Sequence, residues 1–387
     1  MDVPKGEIQA MVADHMIKNG ATKEEVFEYL GVSKEEMEVP LEESEAKQYI
    51  PLTKSKTNMK RLTTDLSLVM VEDVSDISTE AWLKIRKKGI GGSEIAALFG
   101  KSQYASPLSI YMDKLSDEVI QEENDYLEWG KTLEPIIREK FPAKFKKFTK
   151  IDIRVEEYPF MMQSIENPYM LANIDGLVEL QQDYNFSLPI SDSEWDEYLV
   201  PAGLVGGLEI KTGSGFTAKN WKENSLPDNY FLQTQHYMAV TGLPYFFVVA
   251  LIDKTLLWRY VPRDDEIIAI IKARVSQFWT ENIFAKIPPA PIGSDVDTEV
   301  LKSLYPQELK DKSLDLSHMA NKRLRYKEIA EEMGNLKTEQ DVIKQEFMAL
   351  MKDAEIAFVS DKKVTWKLQE KREYTVKASS TRVMRIG

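Results

Sequence analysis

No cysteine occurs in the 387 residues, which removes disulfides, thiol nucleophiles and cysteine-bound iron–sulfur clusters. Histidine is almost as scarce: His15, His236 and His318 stand far apart, and a zinc site draws on nitrogen and sulfur ligands. A catalytic metal would therefore have to be held by oxygen, which suits Mg²⁺ or Mn²⁺. No apolar stretch approaches the roughly 18 residues that span a bilayer. The N-terminus is acidic where a secretory signal would be basic, and no membrane association is expected.

Basic charge is also thin, and its distribution matters more than the net value of −13. Residues 1–50 hold twelve Asp/Glu against five Lys/Arg, a net of −7. Residues 181–200 hold five acids and no base, a net of −5. Those two stretches account for −12 and leave the rest near neutral, so the acidity does not exclude a polyanionic partner such as DNA. The hydrophobic share of 43% and charged share of 29% are ordinary for a globular chain. The length allows one large domain plus appendages.

Taken in order, residues 6–38 look like short helices. Ile8, Met11, Val12 and Met16 recur at helical spacing, and Thr22-x-x-Glu25 and Ser33-x-x-Glu36 are capping boxes. The pattern is like a helix-turn-helix, but its acidity speaks against groove binding and for a protein-contact or capping module. Residues 39–65 are a polar linker, so 1–65 form an acidic extension. A strand is expected at Leu66–Val71 and a helix at Thr79–Lys88. Gly91-Gly92-Ser93 then caps a helix Glu94–Phe99, and another helix covers 125–141. In Phe141–Lys150 three phenylalanines interleave with four lysines. That pattern is either a solvated helix face or a patch that tracks phosphates.

Strands follow at Ile151–Pro159, Tyr169–Asp175, Gly176–Leu180 and Leu204–Lys211, with 181–203 as an acidic loop insertion. Next come a helix Asp228–Val240, a hairpin around Asp253-Lys254 and a helix Asp264–Phe284. Strands with helices on both sides predict an α/β fold with a mixed central sheet, spanning 66–290. Beyond a Pro-rich connector, 291–387 form a C-terminal region. Apolar residues at near-heptad spacing in 318–352 predict a helix pair within the chain, or an oligomer contact. Basic strands are expected at Val364–Ile386.

The chemistry-bearing stretch is Val205-Gly206-Gly207-Leu208-Glu209-Ile210-Lys211-Thr212-Gly213. On a strand Glu209 and Lys211 point to one face, where a bare pair is often a weak surface ion pair. Asn173-Ile174-Asp175-Gly176 and Trp129-Gly130-Lys131-Thr132-Leu133-Glu134 lie upstream, and Gln233-Thr234-Gln235 downstream. Carboxylates, a lysine and a glutamine at successive element ends would build a hard-metal site with a positioned water. Asp175 and Glu209, with the Ile210 carbonyl and Glu134, would hold one or two Mg²⁺ ions for phosphodiester hydrolysis. Lys211 would position or help deprotonate the water and offset charge, with Gln235 orienting the lysine or water. Arg86 and the Gly-Gly-Ser helix start could cradle a phosphate.

These blocks resemble the PD-(D/E)XK nuclease superfamily, and more narrowly the YqaJ-type phage recombination exonucleases related to phage lambda exonuclease. Arg86 precedes Ser93 by seven residues. Trp129-Gly-Lys-x-x-Glu134, Asp175-Gly176, Glu209-x-Lys211 and Gln233-x-Gln235 then follow in family order. Glu-x-Lys alone carries almost no information; the five blocks in order are specific, and the match covers roughly 79–285. The resemblance implies a restriction-endonuclease-like core with a C-terminal helical and strand appendage, to which this chain adds an N-terminal helical extension. It makes Asp175, Glu209 and Glu134 metal-associated, Lys211 catalytic and Gln235 supporting, with Mg²⁺ (or Mn²⁺) as cofactor. Arg86, Ser93 and Asn173 correspond to a pocket for the 5′-terminal phosphate.

Such enzymes degrade one strand of duplex DNA 5′ to 3′, often as a ring-shaped trimer, and pass single strands to an annealing protein. They are phage or prophage products at work in the bacterial cytoplasm. Two departures stand out: the long Asp175–Glu209 gap and the acidic residues 1–65. The competing readings are another nuclease of the superfamily, such as an endonuclease, and a DNA-end-binding scaffold with a degenerate site.

Overall fold

The computed structural model describes residues 66–71, 73–118, 124–189, 195–370, 382 and 384–386. The expected acidic module and linker of residues 1–65 lie outside them, as does most of 371–387. In chain order the elements begin with β1 (Ser67–Val71), α1 (Thr79–Arg86), β2 (Ile90–Gly91), α2 (Gly92–Leu98), α3 (Pro107–Leu115) and α4 (Asp125–Thr149). Strands β3 (Ile153–Glu156), β4 (Met161–Ser164), β5 (Met170–Asn173), β6 (Gly176–Leu180), β7 (Tyr184–Pro189), β8 (Trp195–Val200) and β9 (Val205–Gly213) follow. Then come α5 (Asp228–Thr241), β10 (Tyr245–Ile252), β11 (Thr255–Pro262), α6 (Asp265–Gln277) and α7 (Asp295–Leu304). The last are α8 (Ala320–Met351), β12 (Ile356–Val359) and β13 (Lys362–Thr365). The chain divides into two compact units between Thr298 and Glu299, inside α7.

The first unit is the expected mixed α/β core, built on a five-stranded sheet of order β11-β10-β9-β6-β3. Strands β9 and β10 are parallel, with Glu209 opposite Val248, and the other neighbours are antiparallel. A parallel pair needs a crossover, here supplied by a 3₁₀ segment (Gly215–Asn224) and α5. Both faces of the sheet are covered, which is why β10 is apolar almost without interruption. Phe246, Val248 and Ala250 face α2, α5 and α6; Tyr245, Phe247 and Val249 face α4, with Leu208 and Ile210. Gly206 and Gly207 carry no side chain because β10 leaves no room. A Cβ at either would lie 2.2 Å from the ring of Tyr245 or Phe246 respectively.

A second, four-stranded sheet of order β1-β4-β5-β2 was not foreseen. The stretch expected to be one strand over Ile151–Pro159 is β3 alone, and β4 follows in the small sheet. The chain then steps from the small sheet into the large one between β5 and β6, at Ile174-Asp175. That step places Asp175 against β9.

The described residues of the acidic stretch 181–203 form not a loop but two paired strands, β7 and β8, with Tyr184 opposite Val200. Tyr184 and Phe186 alternate with exposed Asn185 and Ser187, a period of two that the acids obscured. Phe186 stacks on Tyr260 at 4.2 Å. Likewise α4 runs through Pro135 and Pro142 to Thr149. Phe141 and Phe145 are fully buried, each meeting Phe247 edge-on or tilted, while the lysines occupy the solvated face. The interleaving is an amphipathic helix. Phe145→Ala should accordingly cost about 3–5 kcal/mol in denaturant unfolding, and Lys147→Ala under about 0.5 kcal/mol. A reversed ranking would mean that the aromatic side chains are not the buried ones.

Past Gln277 the expected helix Asp264–Phe284 widens into π turns over Phe278–Phe284. In the second unit, 318–352 hold a single 32-residue helix, α8, in place of an expected pair. A hairpin of β12 with β13 precedes most of the stretch Val364–Ile386, whose expected basic strands fall largely outside the described residues.

Candidate active site

The period of a strand sorts β9 into two faces. Leu208 and Ile210 enter the layer under α4, which turns Glu209 and Lys211 the other way, toward α5. Glu209 is only 3% exposed. Lys211 Nζ donates to Glu209 Oε1 at 2.5 Å, and Gln233 Nε2 of α5 donates to the same oxygen at 2.7 Å. Gln233 Nε2 also lies 3.0 Å from the Tyr237 hydroxyl, one turn along the helix. The Lys211 ammonium sits 5.1 Å above the ring of Tyr230. The other Glu209 oxygen, Oε2, is buried without any hydrogen-bond partner.

Asp175 is tied to the same strand. Its N–H donates to the Leu208 carbonyl at 3.2 Å, and the Ile210 N–H donates to Asp175 Oδ2 at 2.6 Å. Glu134, on α4, is bonded to Arg138 one turn on, and Arg138 reaches Glu157 at 3.1 Å. Burial and mutual repulsion lift these acids together. Burial, then the neighbouring Asp175 charge, raises Glu209 to about 8 and Glu134 to about 7. Burial also raises Asp175, against the opposing pull of Lys211 and the Ile210 N–H. Lys211 moves in the opposite sense to burial: desolvation opposes its charge, but Glu209 and Asp175 outweigh it and raise its pKa. The lysine is therefore an ammonium here.

Next to the acids lies a cavity of about 400 Å³ lined by Trp82, Arg86, Gly92, Ser93, Lys131, Glu134, Asn173, Asp175 and Tyr237 among others. Arg86 Nη2 donates to Ser93 Oγ at 2.9 Å. The guanidinium lies 4.7 Å over the Trp82 ring, whose Nε1 is 3.4 Å from Asn173 Oδ1. Arg86 is buttressed by Glu94 at 3.7 Å. Glu94 itself caps the Gly91 N–H and pairs with the buried Lys114, 2.7 Å away. Burial works against the Glu94 charge, but Lys114 and Arg86 hold its pKa below the ordinary carboxylate range.

The structure thus brings Asp175, Glu209 and Lys211 together. It sets Glu134 within their electrostatic reach, and it puts Arg86, Ser93 and Asn173 on one cavity wall. Gln235 is not among them. Its Nε2 donates to the Pro262 carbonyl at 2.8 Å, and its Oε1 accepts from the Asp264 N–H at 3.0 Å. It joins α5 to the start of α6. Two residues apart on a helix means about 200° around the axis, so only one glutamine of the pair can face β9, and it is Gln233. Trp82 lies outside the motif blocks, and Lys131 stands within the Trp129–Glu134 block without an assigned role. Their signal is helical spacing: Trp82 lies one turn before Arg86, and Lys131 one turn before Glu134.

Among the described residues, no three His, Asp or Glu side chains converge as a ready-made metal cage. The donors nevertheless fit a hard cation. All are oxygens, Glu209 Oε2 is buried and unpartnered, and burial leaves the carboxylates short of positive charge.

Residues 81–244, a stretch that contains every site residue named above, match the family model of the YqaJ-like viral recombinase domain. The family is the one the motif blocks resemble. The uncharacterized protein YqaJ of Bacillus subtilis (strain 168) is 27% identical over 298 residues, which cover 76% of this chain and 84% of that protein. Among solved structures, an alkaline exonuclease from Laribacter hongkongensis aligns at 23% identity and a TM-score of 0.38, covering 58% of this chain and 98% of its own. A phage-related exonuclease from Haemophilus somnus 129PT aligns at 13% identity and a TM-score of 0.32, covering 53% of this chain and 100% of its own.

Proposed function

We propose that the YqaJ-like viral recombinase domain of this chain is a Mg²⁺-dependent exodeoxyribonuclease that resects duplex DNA ends from the 5′ side. The observation that carries this is a shared wall. The cavity lined by Arg86, Ser93 and Asn173 is also lined by Glu134 and Asp175, and Asp175 is bonded to the strand that bears Glu209 and Lys211. A terminal phosphate held by a guanidinium, a hydroxyl and an amide would leave the adjoining phosphodiester beside the acids.

Asp175 and Glu209, with the Ile210 carbonyl and Glu134, would hold the cation. The chemistry that one or two such ions supply is polarisation of the phosphate and activation of a water. The chain's own residues do the rest. Lys211 keeps its proton in the field of Glu209 and Asp175, so it acts as a fixed donor and positive charge for the water and the phosphate. Gln233 holds the Glu209 carboxylate in place. Trp82 backs the Arg86 guanidinium, and Glu94 fixes its direction, so little side-chain freedom is lost when a phosphate binds. The single strand that remains would pass to an annealing protein, with a ring-shaped trimer as the assembly and the host cytoplasm as the setting.

The test uses linear duplexes with 5′-phosphate or 5′-hydroxyl ends and closed circles, each with Mg²⁺. Phosphorylated ends should be lost fastest and circles should survive. In Arg86→Ala the preference for phosphorylated ends should fall by about 10- to 100-fold, the worth of a charge-assisted contact of about 1.5–3 kcal/mol. Cleaved circles would point to an endonuclease. Absence of any metal-dependent cleavage would point to an end-binding scaffold.

A further inference from the structure

The second unit holds a row of apolar side chains with no described cover. Helix α8 runs unbroken from Ala320 to Met351, about 48 Å at 1.5 Å per residue. Tyr326, Met333, Gln340 and Phe347 recur every seven residues, and Ile329, Leu336, Ile343 and Leu350 recur in the same step, three residues later. These are the a and d positions of a coiled coil over more than three heptads. Met333, Leu336 and Leu350 are 65%, 64% and 82% exposed, although a helix hides such a stripe when it has a partner.

The charges beside the row say what the partner is. The g positions carry Glu332, Glu339 and Glu346, and the e positions carry Lys337 and Lys344. In a parallel pair, each g residue meets the e residue of the next heptad on the other helix. Glu332 would then face Lys337, and Glu339 would face Lys344, in both directions across the seam. In an antiparallel pair, g meets g and e meets e, which sets glutamate against glutamate and lysine against lysine. Lys337 also reaches Asp341 on its own helix, at 3.0 Å, which leaves it exposed and able to turn to a neighbour. Every copy of the chain thus offers both halves of the pairing. Gln340, the one polar residue in the row, would meet itself in an in-register parallel assembly and penalise slipped registers.

We infer that α8 is a self-association element: copies of this chain join through a parallel, in-register coiled coil along Tyr326–Leu350. It lies in the second unit, rests on none of the nuclease residues, and is separate from the trimeric ring that the family resemblance implies.

The absence of native cysteine makes the test direct. Tyr326→Cys and Leu350→Cys are introduced singly into the full-length chain and oxidised at micromolar concentration. The two sites are about 36 Å apart along the helix, so a parallel seam cross-links each variant to itself. An antiparallel seam instead cross-links one to the other in a mixture. On the Leu350→Cys background, Glu332→Lys with Glu339→Lys should weaken self-cross-linking by roughly tenfold or more. Adding Lys337→Glu with Lys344→Glu to that same chain should restore it. A wholly nuclease-domain assembly would be indifferent to all four charges. Absence of self-cross-linking at both positions, cross-linking only between 326 and 350, or indifference to the charge reversals would each overturn the proposal. In the first case the row is covered by another segment or another protein.

Discussion

Lys211→Ala should lower single-turnover cleavage of a 5′-phosphorylated duplex by about a hundred- to a thousandfold, the usual cost of removing one preorganised charge or donor at a reacting phosphate. Binding of the same DNA end should change by only a few-fold, because the proposed end contacts lie with Arg86, Ser93 and Asn173. The reasoning starts from the local field. Burial alone would lower the pKa of Lys211, but Glu209 and Asp175 more than offset it and hold the proton. The ammonium is therefore a built charge whose orientation is fixed before substrate arrives, by the Glu209 bond and the Tyr230 ring. Such a group costs no reorganisation when charge develops on the phosphate. A bland ion pair would behave otherwise. Its loss would leave Glu209 buried without its cation, destabilise the fold by about 3–5 kcal/mol and leave the rate constant of the folded fraction almost unchanged. Circular dichroism alongside the kinetics separates the cases: a rate loss under tenfold in a folded variant would reduce Lys211 to packing.

How far the site was legible depends on the period of the element that carries each residue. Strand residues were easy, because a period of two forces Glu209 and Lys211 to the same face once Leu208 and Ile210 are buried. Asp175 was legible from Asn173-Ile174-Asp175-Gly176, though not the reason it reaches β9. That reason is the step between two sheets, and β4, the strand that makes the second sheet, is a four-residue piece without a sequence signal of its own. Helix residues were harder. Gln233 and Gln235 are chemically identical, and only the docking angle of α5 decides which meets Glu209. Trp82 carried no site signal of its own, because only the fold brings it between Arg86 on the same helix and Asn173 on β5. In the fold, the acids of 181–203 obscure the alternation of Tyr184 and Phe186. In Phe141–Lys150 burial of Phe141 and Phe145 explains the aromatic half of the pattern and leaves the lysines facing solvent. In 318–352 the heptad was legible, but a single helix rather than a pair carries it.

The buried acids also give the metal-free protein an unusual pH dependence, which divalent cation should reverse. Glu209 and Glu134 have pKa values raised to about 8 and about 7 in the folded chain, against about 4.3 for an unfolded glutamate. Between those limits the native state holds more protons than the unfolded state, so stability falls as pH rises through the window. His236 has the opposite sign. Burial lowers it to about 4, so its contribution is complete above about 6.5 and is lost as pH falls toward 4. The two slopes oppose each other in mildly acid solution, and above pH 6.5 only the carboxylate slope remains. In EDTA, thermal stability should therefore decline from pH 6.5 to 8.5, by an amount on the order of a few kcal/mol. Millimolar Mg²⁺ should restore it by mass action, because in the proposed site a cation binds the ionised acids of the native state alone. The gap between the Mg²⁺ and EDTA melting curves should widen with pH, because the proton is the competing ligand. Glu209→Gln keeps a side-chain acceptor for Lys211 and Gln233 but has no charge to develop, so it should flatten the EDTA slope and shrink the Mg²⁺ gap together. A flat EDTA profile in the parent protein, or a Mg²⁺ gap that survives Glu209→Gln unchanged, would place the cation elsewhere and remove Glu209 from its ligands.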